Sequence, residues 1–330
     1  MGKRQLRRKK TQKKTKKQPT VTKEAPTTAT KKDRGNWLLN FYDRKYKFLM
    51  VLPFILLLLA LIQIGYQDAT TGDFMKKGVS LEGGLTATIP IEETELDPNS
   101  FEQKIRESFS ETDVKVRELS SPAGGLSGFI IEANVVEDSQ REEFVDKLVE
   151  ITGVEESSMN IDLMGPTLGQ SFFVQTIKAM LFAFVLMGVV VFAYFRTFIP
   201  SIAVIISAFS DIVVTLAIAN VLDIRLSTAG LAGFLMLIGY SIDTDILLTT
   251  RVLRDKKGDV FERVIGAAKT GLTMSFSTII ALTIAIIVSQ SEVLIQIMTI
   301  VLIGLVVDLI NTWFQNVGLL RWYVEKKGIE

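Results

Sequence analysis

The stretch Ser227–Arg254, STAGLAGFLMLIGYSIDTDILLTTRVLR, decides the fold. It opens on the small residues Thr228, Ala229, Gly230, Ala232 and Gly233 and runs on through FLMLIGYSI. At about 1.5 Å per helical residue it is long enough to cross a bilayer. Yet it carries Asp243 and Asp245 inside the span, and Arg251 and Arg254 close it. A carboxylate at mid-helix in lipid costs roughly 2.5–3.5 kcal/mol, against a gain of about 0.3–0.6 kcal/mol for each Leu or Ile. Two acids therefore cancel many apolar neighbours, and acids kept inside a span mark ion pathways or proton relays. Snorkelling of both to water at the helix end is the competing reading, and it fits Asp245 better than Asp243.

Working outward, 48% of the 330 residues are hydrophobic and they cluster in long runs, which defines an integral membrane protein. The spans are read at 48–66, 174–195, 199–221, 228–250, 272–289 and 293–316. Pro53 and Pro200 fall in first turns, where a missing N–H is best tolerated. Residues 1–35 form a basic tail without the apolar content to build a core, and are expected to be disordered. Residues 1–34 hold 14 Lys/Arg and 2 acids; taking these from 37 and 36 leaves 23 basic and 34 acidic residues for the remainder. The tail is read as an orientation signal rather than a binder of specific nucleic acid. Residues 317–330 are read as a second tail, and 259–270 as an interfacial helix with Phe261, Val264, Ile265 and Ala268 on one face.

Residues 67–173 are read as a soluble domain in the order strand, helix, strand, strand, helix, strand. Leu85–Ile91, Val114–Leu119, Phe129–Val136 and Ser158–Met164 are the strands; Pro98–Ser110, capped by Asp97, and Asp138–Thr152 are the helices. This order predicts a split βαβ, ferredoxin-like α+β domain between the first two spans. It holds 22 acids against 8 basic residues. Basic tail, Arg196, the loop RVLRDKKGD and the C-terminal RWYVEKKGIE fall on one side of the six spans; the acidic domain falls on the other. The positive-inside rule then places both termini in the cytoplasm and residues 67–173 outside.

The chain has no Cys and no His. Thiolate metal sites, disulfides and Cys nucleophiles are excluded, and proton chemistry falls to carboxylates. Asp211 in the third span, Asp243 and Asp245 in the fourth and Asp308 in the sixth are the candidates, with no cationic partner evident within the spans. Residues two apart on a helix differ by about 200°, so Asp243 and Asp245 cannot share a face. Ser207, Ser210, Thr215, Ser241, Thr244, Ser275, Ser277, Thr278 and Asn311 are polar enough to line a path, although helix–helix contact is the commoner role for hydroxyls. No phosphate loop, kinase set or nucleophile elbow is present, so no enzyme, metal or cofactor is expected.

Three motifs carry a family resemblance. They are Leu81–Gly84 (Leu81, Glu82, Gly83, Gly84), Met164–Gln170 (with Gly165 and Pro166) and Gly239–Arg254 (with Gly239, Tyr240, Ser241 and Arg251). With the six-span layout, they make residues 46–325 similar to the archaeal SecF branch of the SecD/SecF protein-export family, in the resistance–nodulation–division superfamily of proton-driven transporters. Departures exist: Ser80 stands where the family often has Asp, and Asp243-Thr244 where bacterial members have Asn-Asp. A SecD-like pattern matches Asp243, which makes Asp243 the favoured proton site and Asp245 the second choice. Asp211 and Asp308 rest on burial alone. The resemblance implies a SecD-like partner, the Sec translocation channel, unfolded exported polypeptides and coupling to the proton gradient in a cell membrane. Half of a superfamily efflux or lipid transporter is the alternative, although such chains commonly carry both halves.

Overall fold

The computed structural model describes residues 37–90, 98–109, 114–120, 126–135, 138–255, 258–289 and 291–328. The expected disordered tail, the Asp97 cap and the last residue of the first expected strand lie outside them.

Helix α1 (Trp37–Leu49) is followed, across Met50, by α2 (Val51–Thr71). Pro53 has no N–H to return to the preceding turn, which explains a break just before it. The first span thus runs to Thr71, past the expected Tyr66, and stops at Gly72 in a left-handed conformation with φ 80°. A short helix, α3 (Val79–Glu82), leads into the sheet module.

That module runs β1 (Gly84–Pro90), α4 (Pro98–Ser108), β2 (Val114–Ser120), β3 (Leu126–Ala133), α5 (Asp138–Thr152) and β4 (Asn160–Met164). Its sheet order is β2-β3-β1-β4, antiparallel at every pairing. Alternation places Leu85, Ala87 and Ile89 of β1 on the buried side with Phe129, Ile131 and Ala133 of β3. Phe101 and Ile105 of α4, and Phe144 and Leu148 of α5, sit at helical spacing over them, with the Phe101 and Phe129 rings stacked at 4.3 Å. Each such side chain, fully buried, contributes about 1.5–3 kcal/mol. β4 is an edge strand and remains largely exposed.

Five further long helices follow: α6 (Pro166–Phe195), α7 (Phe198–Val221), α8 (Thr228–Arg254), α9 (Val260–Val288) and α10 (Glu292–Ile310). The last passes through a π-helical turn, Asn311–Asn316, into α11 (Val317–Lys327). Six helices are long and apolar enough to cross a membrane: α2, α6, α7, α8, α9 and α10 with its extension. The most enclosed are α7 and α8; α2, α6 and α9 present broad apolar faces outward.

Other boundaries also differ from the sequence reading: α6 begins at Pro166, inside the expected domain 67–173 and before the expected span start at 174. The expected interfacial helix 259–270 and fifth span 272–289 are one helix, α9, because nothing between Lys269 and Leu272 breaks it. Its face of Phe261, Val264 and Ala267 is buried within the protein rather than spread on a membrane surface. The expected tail from residue 317 is also helical, and Val317, Leu320 and Val324 pack with Leu248, Val252 and Trp313. Inside the bundle, small residues bring α8 against α10. A Cβ on Gly233 would lie 3.1 Å from the Ile297 carbonyl oxygen, and one on Gly304 2.4 Å from Leu237.

Candidate functional site

α8 begins where the Ser227 hydroxyl accepts from the backbone N–H groups of Ala229 and Gly230, a side-chain cap on the first turn. From there Gly230, Gly233, Leu237, Ser241 and Asp245 descend one face at intervals of three and four, and all five are buried. That face meets α7 and α10 at the level of the acids. Asp211, Asp245 and Asp308 are each 0% exposed.

Hydrogen bonds join them. Ser241 Oγ donates to Asp211 Oδ2 at 2.6 Å, and Asn311 Nδ2 donates to Asp211 Oδ1 at 2.7 Å. Asn316 Nδ2 donates to Asp245 Oδ1 at 2.7 Å. Thr312 Oγ1 lies 3.0 Å from the same Asp245 oxygen and 3.1 Å from Asp308 Oδ1. The second oxygens of Asp245 and Asp308 have no hydrogen-bond partner within the protein, nor does the Ser207 hydroxyl. The hydrogen bonds of the network join three carboxyls with amides and hydroxyls, and among the described residues no Lys or Arg takes part in them. An acid so placed is stable neutral, or ionised only where donors replace water, so small rearrangements decide its charge. Among the described residues no group of acids is disposed to hold a metal ion.

Asp243 is elsewhere. It is exposed on the opposite side of α8, in line with Met236 and Tyr240, as the 200° separation from Asp245 requires. Of the other sequence candidates, Gly239 lies on that exposed side, while Ser241 is the Asp211 donor. Arg251 is exposed near the helix end, 3.7 Å from Asp255. Ser207, Thr215 and Ser275 are buried; Ser277 and Thr278 turn outward and bond their own helix backbone. The sequence reading missed Thr312, Gln315 and Asn316. The signal was present: four amide or hydroxyl residues within NTWFQN, too many for the lipid-facing end of a span.

The remaining motifs build a second contact. Gly83 and Gly84 have φ of 98° and 129°, a region that favours glycine. A Cβ on Gly83 would lie 2.7 Å from the Pro166 Cα, and one on Gly169 2.9 Å from the Gly83 N. The Leu81–Gly84 and Gly165–Gly169 stretches therefore pack backbone to backbone, at the entry to and exit from the sheet module. On the same side, Asp223 takes Lys76 at 2.6 Å and Lys115 of β2 at 2.8 Å. Burial would raise the Asp223 carboxyl, but hydrogen bonds and charge from Lys115 and Lys76 outweigh it and hold it at about 2, below its usual 3.8. Asn220, at the end of α7, accepts from Lys76 N–H at 3.3 Å and donates to the Phe74 carbonyl at 3.1 Å.

Six apolar helices, a buried acid network shared by α7, α8 and α10 with its extension, and a small folded module between the first two spans define a multi-pass membrane protein. The family model described as protein export membrane protein SecD/SecF, C-terminal, matches residues 144–326. The chain belongs to the SecD/SecF family. It is 38% identical to the protein-export membrane protein SecF of Methanolacinia petrolearia, over 88% of this chain and 97% of that one. It is 37% identical to SecF of Pyrococcus furiosus, over 85% of this chain and 92% of that one. Among solved structures, SecDF from Thermus thermophilus, described as a translocon-associated membrane protein, superimposes with a TM-score of 0.63 at 17% identity. That match covers 87% of this chain but 40% of the longer SecDF chain.

Proposed function

We propose that this chain is the SecF-type half of a SecD–SecF assembly that helps unfolded polypeptides through the Sec channel, driven by the proton gradient. Family membership supports the export role. The partner is supported by the share of the SecDF structure that this chain spans, 40%, which leaves room for a SecD-like chain. We place both termini in the cytoplasm of a cell membrane and the sheet module, a split βαβ of ferredoxin-like order, outside it; the charge asymmetry of the loops supports this orientation.

The buried network carries the proton-linked part of the reading. Asp245 touches Thr312 and Asn316 of the last span, and Asp211 touches Ser241 and Asn311, so a charge change at either alters contacts among α7, α8 and the π-helical turn. Asp245, rather than the exposed Asp243, is the proton site in this reading, with Asp211 and Asp308 as its neighbours. Full transfer of one charge across about 100 mV supplies about 2.3 kcal/mol, enough to bias two helix packings. The chain needs no cofactor for this.

The test replaces the native copy in cells with Asp245→Asn or Asp243→Asn and follows maturation of an exported protein with and without a protonophore. Asp245→Asn should remove the gradient-dependent component and Asp243→Asn should retain it. Normal gradient-dependent export in Asp245→Asn, Asp211→Asn and Asp308→Asn alike would end the proton reading.

A further inference from the structure

We propose that Thr312 is a positioning residue that makes Asp245 and Asp308 share a single proton, and that the π-helical turn Asn311–Asn316 sets it between them. The inference deepens the proton-linked reading and takes its purpose from it. The argument is a count of hydrogens. Thr312 Oγ1 lies within hydrogen-bonding distance of Asp245 Oδ1, at 3.0 Å, and Asp308 Oδ1, at 3.1 Å. A hydroxyl has one proton to donate and lone pairs to accept with. An ionised carboxylate only accepts. Thr312 can therefore serve one of the two acids, and the other satisfies the contact only by carrying a proton and donating it to Thr312.

The rest of the site favours one distribution. Asp245 Oδ1 already accepts from Asn316 at 2.7 Å, so it holds a donor whichever way the hydroxyl turns. The second oxygens of Asp245 and Asp308 are alike in receiving no donor within the protein, so the Asn316 amide is what tells the two acids apart. Asp308 is therefore the acid that keeps the proton at rest, and the roles exchange when Asp308 passes its proton to Thr312 Oγ1 while the Thr312 hydroxyl passes its own to Asp245 Oδ1. The titratable groups around Thr312 are Asp211 on α7, Asp245 on α8 and Asp308 on its own helix, and the charges of all three act on one another. Asp211 has two donors of its own, Ser241 and Asn311, and Asp308 also comes within reach of it.

The backbone explains how Thr312 gets there. In an α-helix each N–H bonds four residues back; at Asn311–Asn316 the helix widens to five-residue bonding. Thr312 and Asn316 both reach one oxygen of Asp245 from this turn, while Asn311, beside them, reaches Asp211. Single π-turns inside α-helices are frequently functional. Buried polar atoms are left over here: both side-chain polar atoms of Gln315, the Asn311 and Asn316 side-chain oxygens and Trp313 Nε1.

The experiment is infrared difference spectroscopy on the full chain in lipid bilayers, in water and in deuterium oxide. The wild type should give a band from a protonated, hydrogen-bonded carboxyl group. Thr312→Ser should keep it, Thr312→Val should move it to higher wavenumber, as an acid without an acceptor does, and Asp308→Asn should remove it. An unmoved band in folded Thr312→Val, a band that survives Asp308→Asn, or no such band in wild type overturns the proposal. Should Thr312→Val fail to fold, Asp308→Asn still decides. These outcomes stand apart from export: loss of gradient-dependent export in Asp245→Asn with an unmoved band rejects Thr312 and keeps the proton reading. A responsive band with normal gradient-dependent export in Asp245→Asn, Asp211→Asn and Asp308→Asn alike does the reverse.

Discussion

Ser241 Oγ donates a hydrogen bond to Asp211 Oδ2 at 2.6 Å across the contact between α8 and α7, with both side chains 0% exposed. Removing it leaves a buried acceptor short of one donor, at about 1–3 kcal/mol. Ser241→Ala should lower the thermal unfolding temperature in bilayers or detergent. In Asp211→Asn the same change should cost less, and the double-mutant cycle isolates the pair. Equal losses in both backgrounds would mean that Ser241 acts through packing.

Gly84 combines φ of 129° with a carbonyl where its Cβ would go, 2.5 Å from Ala133 O. Backbone strain of this kind costs roughly 1–3 kcal/mol before any overlap. Gly153, at φ 69°, has nothing within 4 Å of the same atom. Gly84→Ala should therefore loosen the sheet module to protease far more than Gly153→Ala, and similar digestion rates for the two would contradict the register of β1 against β3.

Absence of cysteine from the native chain makes orientation simple to read, since single-cysteine variants need no background changes. Glu143→Cys on the exposed surface of α5 should react with a membrane-impermeant maleimide on intact cells. Lys326→Cys at the end of α11 should react only after permeabilisation. Labelling of both from one side would refute the placement of the module outside the membrane.

Asp223 anchors Lys76 and Lys115, and its carboxyl is held at about 2 against an ordinary 3.8. A depressed carboxylate contributes stability that is fully present above the ordinary value and lost as pH falls through the folded one. Contact between the module and the loop after α7 should hold above about pH 4 and weaken from there towards pH 2. Hydrogen exchange at the Gly78 and Leu226 amides, which bond across this junction, reports it. Asp223→Asn should speed that exchange at neutral pH; the group is more than half exposed, so high salt should do so too.

Much of this was legible in the residues. Long apolar runs, alternation in Leu85–Ile89 and the mid-span positions of Asp211 and Asp308 each rest on local patterns, and the structure places those two acids together. The choice between Asp243 and Asp245 depended on which face of α8 turns inward. A clue existed, because Gly230, Gly233, Leu237, Ser241 and Asp245 follow one another by three and four, so the close-packing face leads to Asp245. Family resemblance drew attention to Asp243 instead. Nothing in NTWFQN announces a π-turn: its register is imposed by hydrogen bonds to acids on other helices, a tertiary effect. The joining of 259–270 to the fifth span was missed because an amphipathic face looks alike on a membrane and against Trp313.

Asn220 ties the end of α7 to the chain between the first span and the sheet module, and nine residues earlier the same helix carries Asp211. At about 1.5 Å per residue they stand roughly 14 Å apart along one helix. α7 is thus a stiff strut with an acid at its middle and the module's root bolted to its tip. A slide or roll of this strut by a fraction of a turn would pull directly on Phe74 and Lys76, the residues from which the chain enters the module.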